Sequence, residues 1–259
     1  RCLKKRLNLE LNFSDMWTLL QKEIKTFFNS VTGYLVVVLY LVINGLVMWV
    51  FHGPSNILDA GYANIDTLFI ISPWVFLFLV PAVTMRLISD EKRMKTMELL
   101  LVRPISELKI VLAKYLAGLV LVIIALLPTL LYLISVYQLG KVPGNMDMGA
   151  IAGSYIGLFF LSAIYTAIGL FASSLTGNQI ISFLIAVVLC FVMYIGFEQL
   201  SNLAPSGSLN NFIESLGINY HYRSISRGLI DTRDVLYFLS VIGIFIMSTK
   251  LVLKSRKWK

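Results

Sequence analysis

The side chains able to do chemistry are few and scattered. Cys2 and Cys190 are the only cysteines, and His52 and His221 the only histidines. This offers neither a disulfide framework nor the spaced Cys/His set of a metal cage. No lysine-tipped phosphate loop, GxGxxG, HExxH or GxSxG occurs, so nucleotide binding, zinc hydrolysis and serine-nucleophile chemistry lack their residues. No catalytic, cofactor-binding or metal-binding residue is expected on this chain. The one dense charged group is SDEKRMKTMELLLVRPIS (Ser89–Ser106), where acids and bases mix before three leucines and an Arg-Pro.

The chain that must position this stretch is very apolar. Of 259 residues 58% are hydrophobic and 14% charged, with mean hydropathy +0.80 and net charge +8. A soluble domain of this length needs far more charge on its surface, so the expected fold is all-α and polytopic. Six apolar segments are about long enough to cross a hydrocarbon core of roughly 30 Å as helices. They are Tyr34–Phe51, Leu68–Leu87, Ile110–Tyr137, Ile151–Leu175, Ile180–Phe197 and Val235–Leu253. Pro73, Pro81 and Pro128 predict kinks. GSYIG (Gly153–Gly157) allows close approach of another helix, and SSLTGN (Ser173–Asn178) leaves only a tight turn between spans four and five. Asn44, Ser72, Thr84, Ser135, Ser162 and Thr166 lie within spans, where hydrogen bonding between helices is the expected role. The middle of every span lacks ionisable residues; Lys114 and Glu198 sit near span ends, where long side chains snorkel. Without an intramembrane relay, an ion-driven carrier is disfavoured and energy must come from elsewhere.

Lys and Arg set the orientation. They crowd the N-terminal region, the stretch after span two and the C-terminal end. None lies between Phe51 and Leu68, Lys141 stands alone in the next outer loop, and three arginines precede span six. Both termini and Ser89–Ser106 are therefore expected in the cytoplasm of a bacterial inner membrane, and residues 200–234 outside it. Residues 1–15 read as a leader, with translation expected to begin at Met16; they lack the apolar run of a signal peptide.

Two amphipathic helices are expected outside the spans. In residues 16–31, Trp17, Leu20, Ile24, Phe27, Phe28 and Val31 share one face and Gln21, Lys22, Lys25 and Asn29 the other, with Ser14 or Asp15 as cap. A basic helix of this kind before a span is expected to lie in the membrane interface. In Ser208–Ile218, Leu209, Phe212, Ile213 and Leu216 share a face, with Ser208 as cap and Gly217 as stop. Asp231 or Thr232 is expected to cap span six, with Asp234 in its first turn.

Within residues 88–107 a short helix capped by Ser89 is expected, with Met94, Met97, Leu100 and Leu101 forming an apolar strip beside Glu91, Glu98 and Arg103. Such a strip with a charged rim suits a groove on a partner protein. The stretch resembles the E-x-x-x-G-T-x-E-x-L-L-x-x-P signature of ABC-2 type export permeases, through Glu91, Thr96, Glu98, Leu100 and Pro104. The resemblance implies that residues 16–259 form one permease domain and that this segment docks on a separate ABC ATP-binding subunit holding ATP and Mg. Expected coupling residues are Glu91, Met94, Thr96, Met97, Glu98, Leu100, Leu101 and Pro104. Lys95 stands at the signature glycine, where continuous helix is expected to replace a glycine-dependent turn. Taken with MWTLLQKEIKTFFNSVTGYLV and YHYRSISRGLIDTRDVLYFLS, the stretch is most similar to the permease subunit of gliding-motility-associated ABC transporters; copper-site-assembly permeases share much of the motif. The implied partners are the ATPase, a second permease or an auxiliary subunit with a periplasmic domain, and the lipid bilayer, in a homo- or heterodimer without nucleic acid. A non-transporting anchor of a motility or secretion machine is the alternative.

Overall fold

The computed structural model describes residues 16–61, 63–97, 105–140, 146–203 and 207–255, which contain helices and no strand. A first helix α1 (residues 16–28) leads into α2 (Val31–Gly45), which runs on through a π-helical turn, Leu46–Val50. Then follow α3 (Asp66–Thr84), α4 (Arg86–Arg93), α5 (Glu107–Leu126), α6 (Leu130–Leu139) and α7 (Met148–Leu175). The chain continues with α8 (Gln179–Phe191), α9 (Phe197–Leu203), α10 (Ser208–Glu214), α11 (Ile218–Ser226) and α12 (Thr232–Ser255).

Six helical spans are long and apolar enough to cross a membrane: Val31–Val50, Asp66–Arg93, Glu107–Leu139, Met148–Leu175, Gln179–Leu203 and Thr232–Ser255. Each contains most or all of an expected segment. Several run further, because polar residues continue a helix once it has left the hydrocarbon. Span three, at 33 residues, is about 50 Å long, well beyond the bilayer core.

α7 is the hub, packing on α3, α5, α8, α11 and α12. Small residues let its neighbours close in. A Cβ on Gly169 would stand 1.9 Å from Thr84 Oγ1, and one on Gly153 would stand 2.6 Å from the Ile225 carbonyl. A Cβ on Gly157 would meet the Tyr222 ring at 3.2 Å, so the GxxxG pair does receive a helix. That helix is α11. Its Ile218, Tyr222 and Ile225 are buried, and Tyr222 OH donates to the Phe69 carbonyl of α3 at 2.7 Å. Besides the helix expected near Ser208–Ile218, the outer segment thus holds a second helix, α11, packed into the bundle.

Several local expectations are corrected. The proline expectations show as interruptions at Met85, four residues after Pro81, and in the 3-10 turn Leu127–Thr129 around Pro128, while α3 stays helical across Pro73. There Thr129 Oγ1 donates to the Leu126 carbonyl at 2.7 Å. Of the six polar residues within spans, Ser72 alone bonds another helix, through Tyr40 OH at 2.7 Å. The side chains of the other five donate to their own helix one turn back, because that carbonyl is already within reach. Gly207, at φ 142°, holds the position before α10, and Ser208, expected there, is the first helical residue. Phe212 is exposed, and Gly217 caps α11 instead of directly ending α10. Asp231 does cap α12, accepting from Arg233 N at 3.0 Å. The Ser14 and Asp15 caps lie outside the described residues.

Candidate coupling site

α4 follows α3 after the interruption at Met85, and the buried backbone groups at its start are satisfied from elsewhere in the bundle. Ser173 of α7 accepts from Ile88 N and Ser89 N, both at 3.0 Å, and donates to the Met85 carbonyl at 2.9 Å. A hydroxyl from a distant helix therefore does the work of an N-cap, which is worth about 1 kcal/mol. Ser89 is not that cap. It is buried within α4, and its hydroxyl also donates to Met85 O.

The other end of α4 is a Schellman turn. Thr96 N donates to Glu91 O at 3.0 Å and Lys95 N to Lys92 O at 3.3 Å, with Lys95 in the left-handed region at φ 57°. These are the two bonds that define the motif, and its left-handed position normally takes glycine. The expectation of continuous helix at Lys95 is therefore wrong. Closing the two carbonyls outweighs the 1–2 kcal/mol or so that a side chain costs there, so the turn survives without its glycine.

The inner face of α4 is held by charge. Lys114 of α5 is 1% exposed, and its Nζ lies 2.9 Å from Glu91 Oε1, 3.1 Å from Glu23 Oε1 of α1 and 2.7 Å from the Leu87 carbonyl. Lys22 stands at the rim, 3.8 and 3.9 Å from the same two oxygens. Two carboxylates and a carbonyl thus surround one ammonium, the arrangement a buried cation needs. Lys114 does not snorkel, because its partners come to it. On the opposite flank Lys92 Nζ donates to Ser174 O near the end of α7, and Gln179 of α8 donates to Asp90. Arg86 Nη1 reaches Thr32 Oγ1 at 3.3 Å. α4 is consequently bonded to α1, α2, α5, α7 and α8.

The residues expected at a partner surface separate. Glu91 turns inward to Lys114, and Met97 is buried, 5% exposed, while Met94 is 61% exposed and Thr96 is exposed. Met94 and Met97 share no strip, because the Lys95 turn reverses the chain between them. Glu98, Leu100, Leu101, Arg103 and Pro104 lie outside the described residues. On α1, Leu19, Leu20, Glu23 and Phe27 are buried and Ile24 and Phe28 half-buried, while Trp17 is exposed. The apolar face of α1 thus packs on the protein itself, and Val31 belongs to α2, where it is exposed.

Sequence reasoning placed none of Glu23, Lys114, Ser173 and Gln179 in this site, and expected Lys114 to snorkel. Two of them carried a readable signal. Glu23 falls between Leu20 and Phe27, on the apolar stripe of its helix where an acid needs a partner. Lys114 stands seven residues inside a helix that is otherwise apolar from Ile110 onward. Ser173 and Gln179 carried none. Among the described residues no cluster of metal-ligating side chains occurs.

A family model described as ABC-2 family transporter protein matches residues 17–253. A search of the curated proteins finds no match.

Proposed function

The chain belongs to the ABC-2 transporter family, and we propose that it converts ATP hydrolysis in a separate ATP-binding subunit into rearrangement of its six spans. The observation that carries this reading is the placement of α4. Its terminal turn presents Met94, Lys95 and Thr96 outward, while its inner face is bonded to five other helices. A displacement delivered at that turn is passed to α5 and α1 through Lys114, and to α7 and α8 through Ser173, Ser174 and Gln179. Glu91 in this scheme anchors the segment from within, and Met94 and Thr96, with Glu98, Leu100, Leu101 and Pro104, meet the ATPase. The resemblance of residues 16–36, 90–106 and 220–240 to gliding-motility-associated permeases supports a role in that export machine, at the bacterial inner membrane with both termini cytoplasmic.

The test is Met94→Asp, with Leu100→Asp beside it, in the chain co-expressed with the ATP-binding subunit from its own gene neighbourhood. An unpaired charge in an apolar contact costs several kcal/mol, so co-purification and stimulation of ATP hydrolysis should fall sharply at unchanged membrane levels. Parent-like stimulation in both variants would sink the coupling role. ATP-dependent flux in reconstituted vesicles separates a transporter from an anchor, and flux that vanishes on dissipating the proton gradient at constant ATP would point to a carrier.

A further inference from the structure

A groove of about 670 Å³ lies on the outer half of the bundle between α3, the π-helical turn Val192–Gly196, α9 and α11. Its lower wall is apolar and aromatic: Phe69, Ile70, Trp74, Tyr194 and Ile195. Ile70 and Trp74 are 66% and 46% exposed, so the groove is open sideways to lipid. Its upper rim is polar, with Asp66, Glu198, Arg223 and Arg227. From Asp66 to Trp74 the drop along α3 is about 12 Å, enough for a headgroup and the first part of a chain.

The rim carries two acids and two arginines; of the acids, Glu198 is already paired and Asp66 is exposed at the start of α3. Glu198 is taken up by Arg223 at 3.3 Å and Asn219 at 2.6 Å. Asp66 accepts from Asn64. Arg223 spends one guanidinium nitrogen on Glu198, and the Arg227 side chain is exposed and not engaged by the other described residues. Arg223 lies in the last turn of α11 and Arg227 is the residue that caps it, and both line the groove. Outer segments of such a chain are expected to be poor in Arg, yet Arg223, Arg227 and Arg233 fall within eleven residues. The π-helical turn adds a feature common at functional sites.

We propose that this groove binds an anionic amphiphile, a phosphate-bearing headgroup held by Arg223 and Arg227 with its chain along Trp74 and Tyr194. That such a molecule is the exported cargo rests on the transporter reading; the binding itself does not. The test needs no ATPase. The full chain, with Trp17, Trp49 and Trp258 changed to Phe so that Trp74 reports alone, is placed in phosphatidylcholine nanodiscs carrying dibrominated phosphatidic acid or dibrominated phosphatidylcholine. Charge-assisted bonds favour the anionic headgroup, so quenching by the anionic lipid should need about a tenth as much quencher, about 1.4 kcal/mol. Arg223→Gln with Arg227→Gln should abolish that preference, whereas Arg233→Gln, outside the groove, should keep it. Equal quenching by both lipids in the parent overturns the proposal, as does an equal loss in Arg233→Gln, which would mean bulk surface charge. Displacement of the lipid by millimolar glycerol phosphate would mean a free-phosphate site and overturn it too.

Discussion

Lys114→Met removes the buried ammonium that holds α1, α4 and α5 together. It leaves Glu23 and Glu91 facing each other with 10% and 13% side-chain exposure, and it frees the Leu87 carbonyl. Losing one partner of a buried pair costs about 3–5 kcal/mol. The rim Lys22, 63% exposed, recovers less than about 1 kcal/mol of that. The expected loss is therefore about 3 kcal/mol, which for a chain of this size lowers the melting temperature by roughly 6–12 °C. The assay heats nanodisc samples in a Cys2→Ser background with a thiol-reactive dye, reading the exposure of buried Cys190. Adding Glu23→Gln and Glu91→Gln to Lys114→Met should restore much of the loss, because a neutral site carries no uncompensated charge. A single variant within about 1 °C of the parent, or a triple variant no better than the single, refutes the reasoning.

Lys95→Gly should strengthen the turn after α4 by about 1 kcal/mol, seen as slower hydrogen exchange at Thr96 N, while Lys95→Val should speed it. Gly153→Ala puts a methyl 2.6 Å from the Ile225 carbonyl and should cost about 1–3 kcal/mol by overpacking, measured as a lower melting temperature with α11 first to become protease-sensitive. The Gly53 amide and then the His52 ring hold the Asp59 carboxyl below its usual range. Order in residues 52–59 should therefore persist above the ordinary carboxylate range and fade only as pH falls through the depressed value, with Asp59→Asn removing the pH dependence; amide exchange at Gly53 reports it. In a cysteine-free background, a cysteine at Lys95 should be shielded from an impermeant thiol reagent in intact cells and one at Asn202 should label; the reverse would invert the topology and remove the coupling role.

Much of this protein is written locally. Run length and the absence of charge place six spans, because a helix in hydrocarbon must be apolar over about twenty residues and that needs no knowledge of neighbours. Gly153 and Gly157 likewise announced a close helix contact, since a missing side chain is useful only where something approaches. What the sequence left open is which polar groups meet. Lys114 finds Glu23 from 91 residues away, and Ser173 caps a helix 85 residues before it. No periodicity encodes such pairs; the packing of α1, α4, α5 and α7 brings them together. The same packing turned Glu91 inward from the surface where its sequence neighbours suggested it belonged, because a buried ammonium needs a carboxylate more than a solvated rim does. At Lys95 residue preference favoured continued helix, and the tertiary structure chose the turn: the two bonds from Thr96 and Lys95 end α4 between the helices it joins.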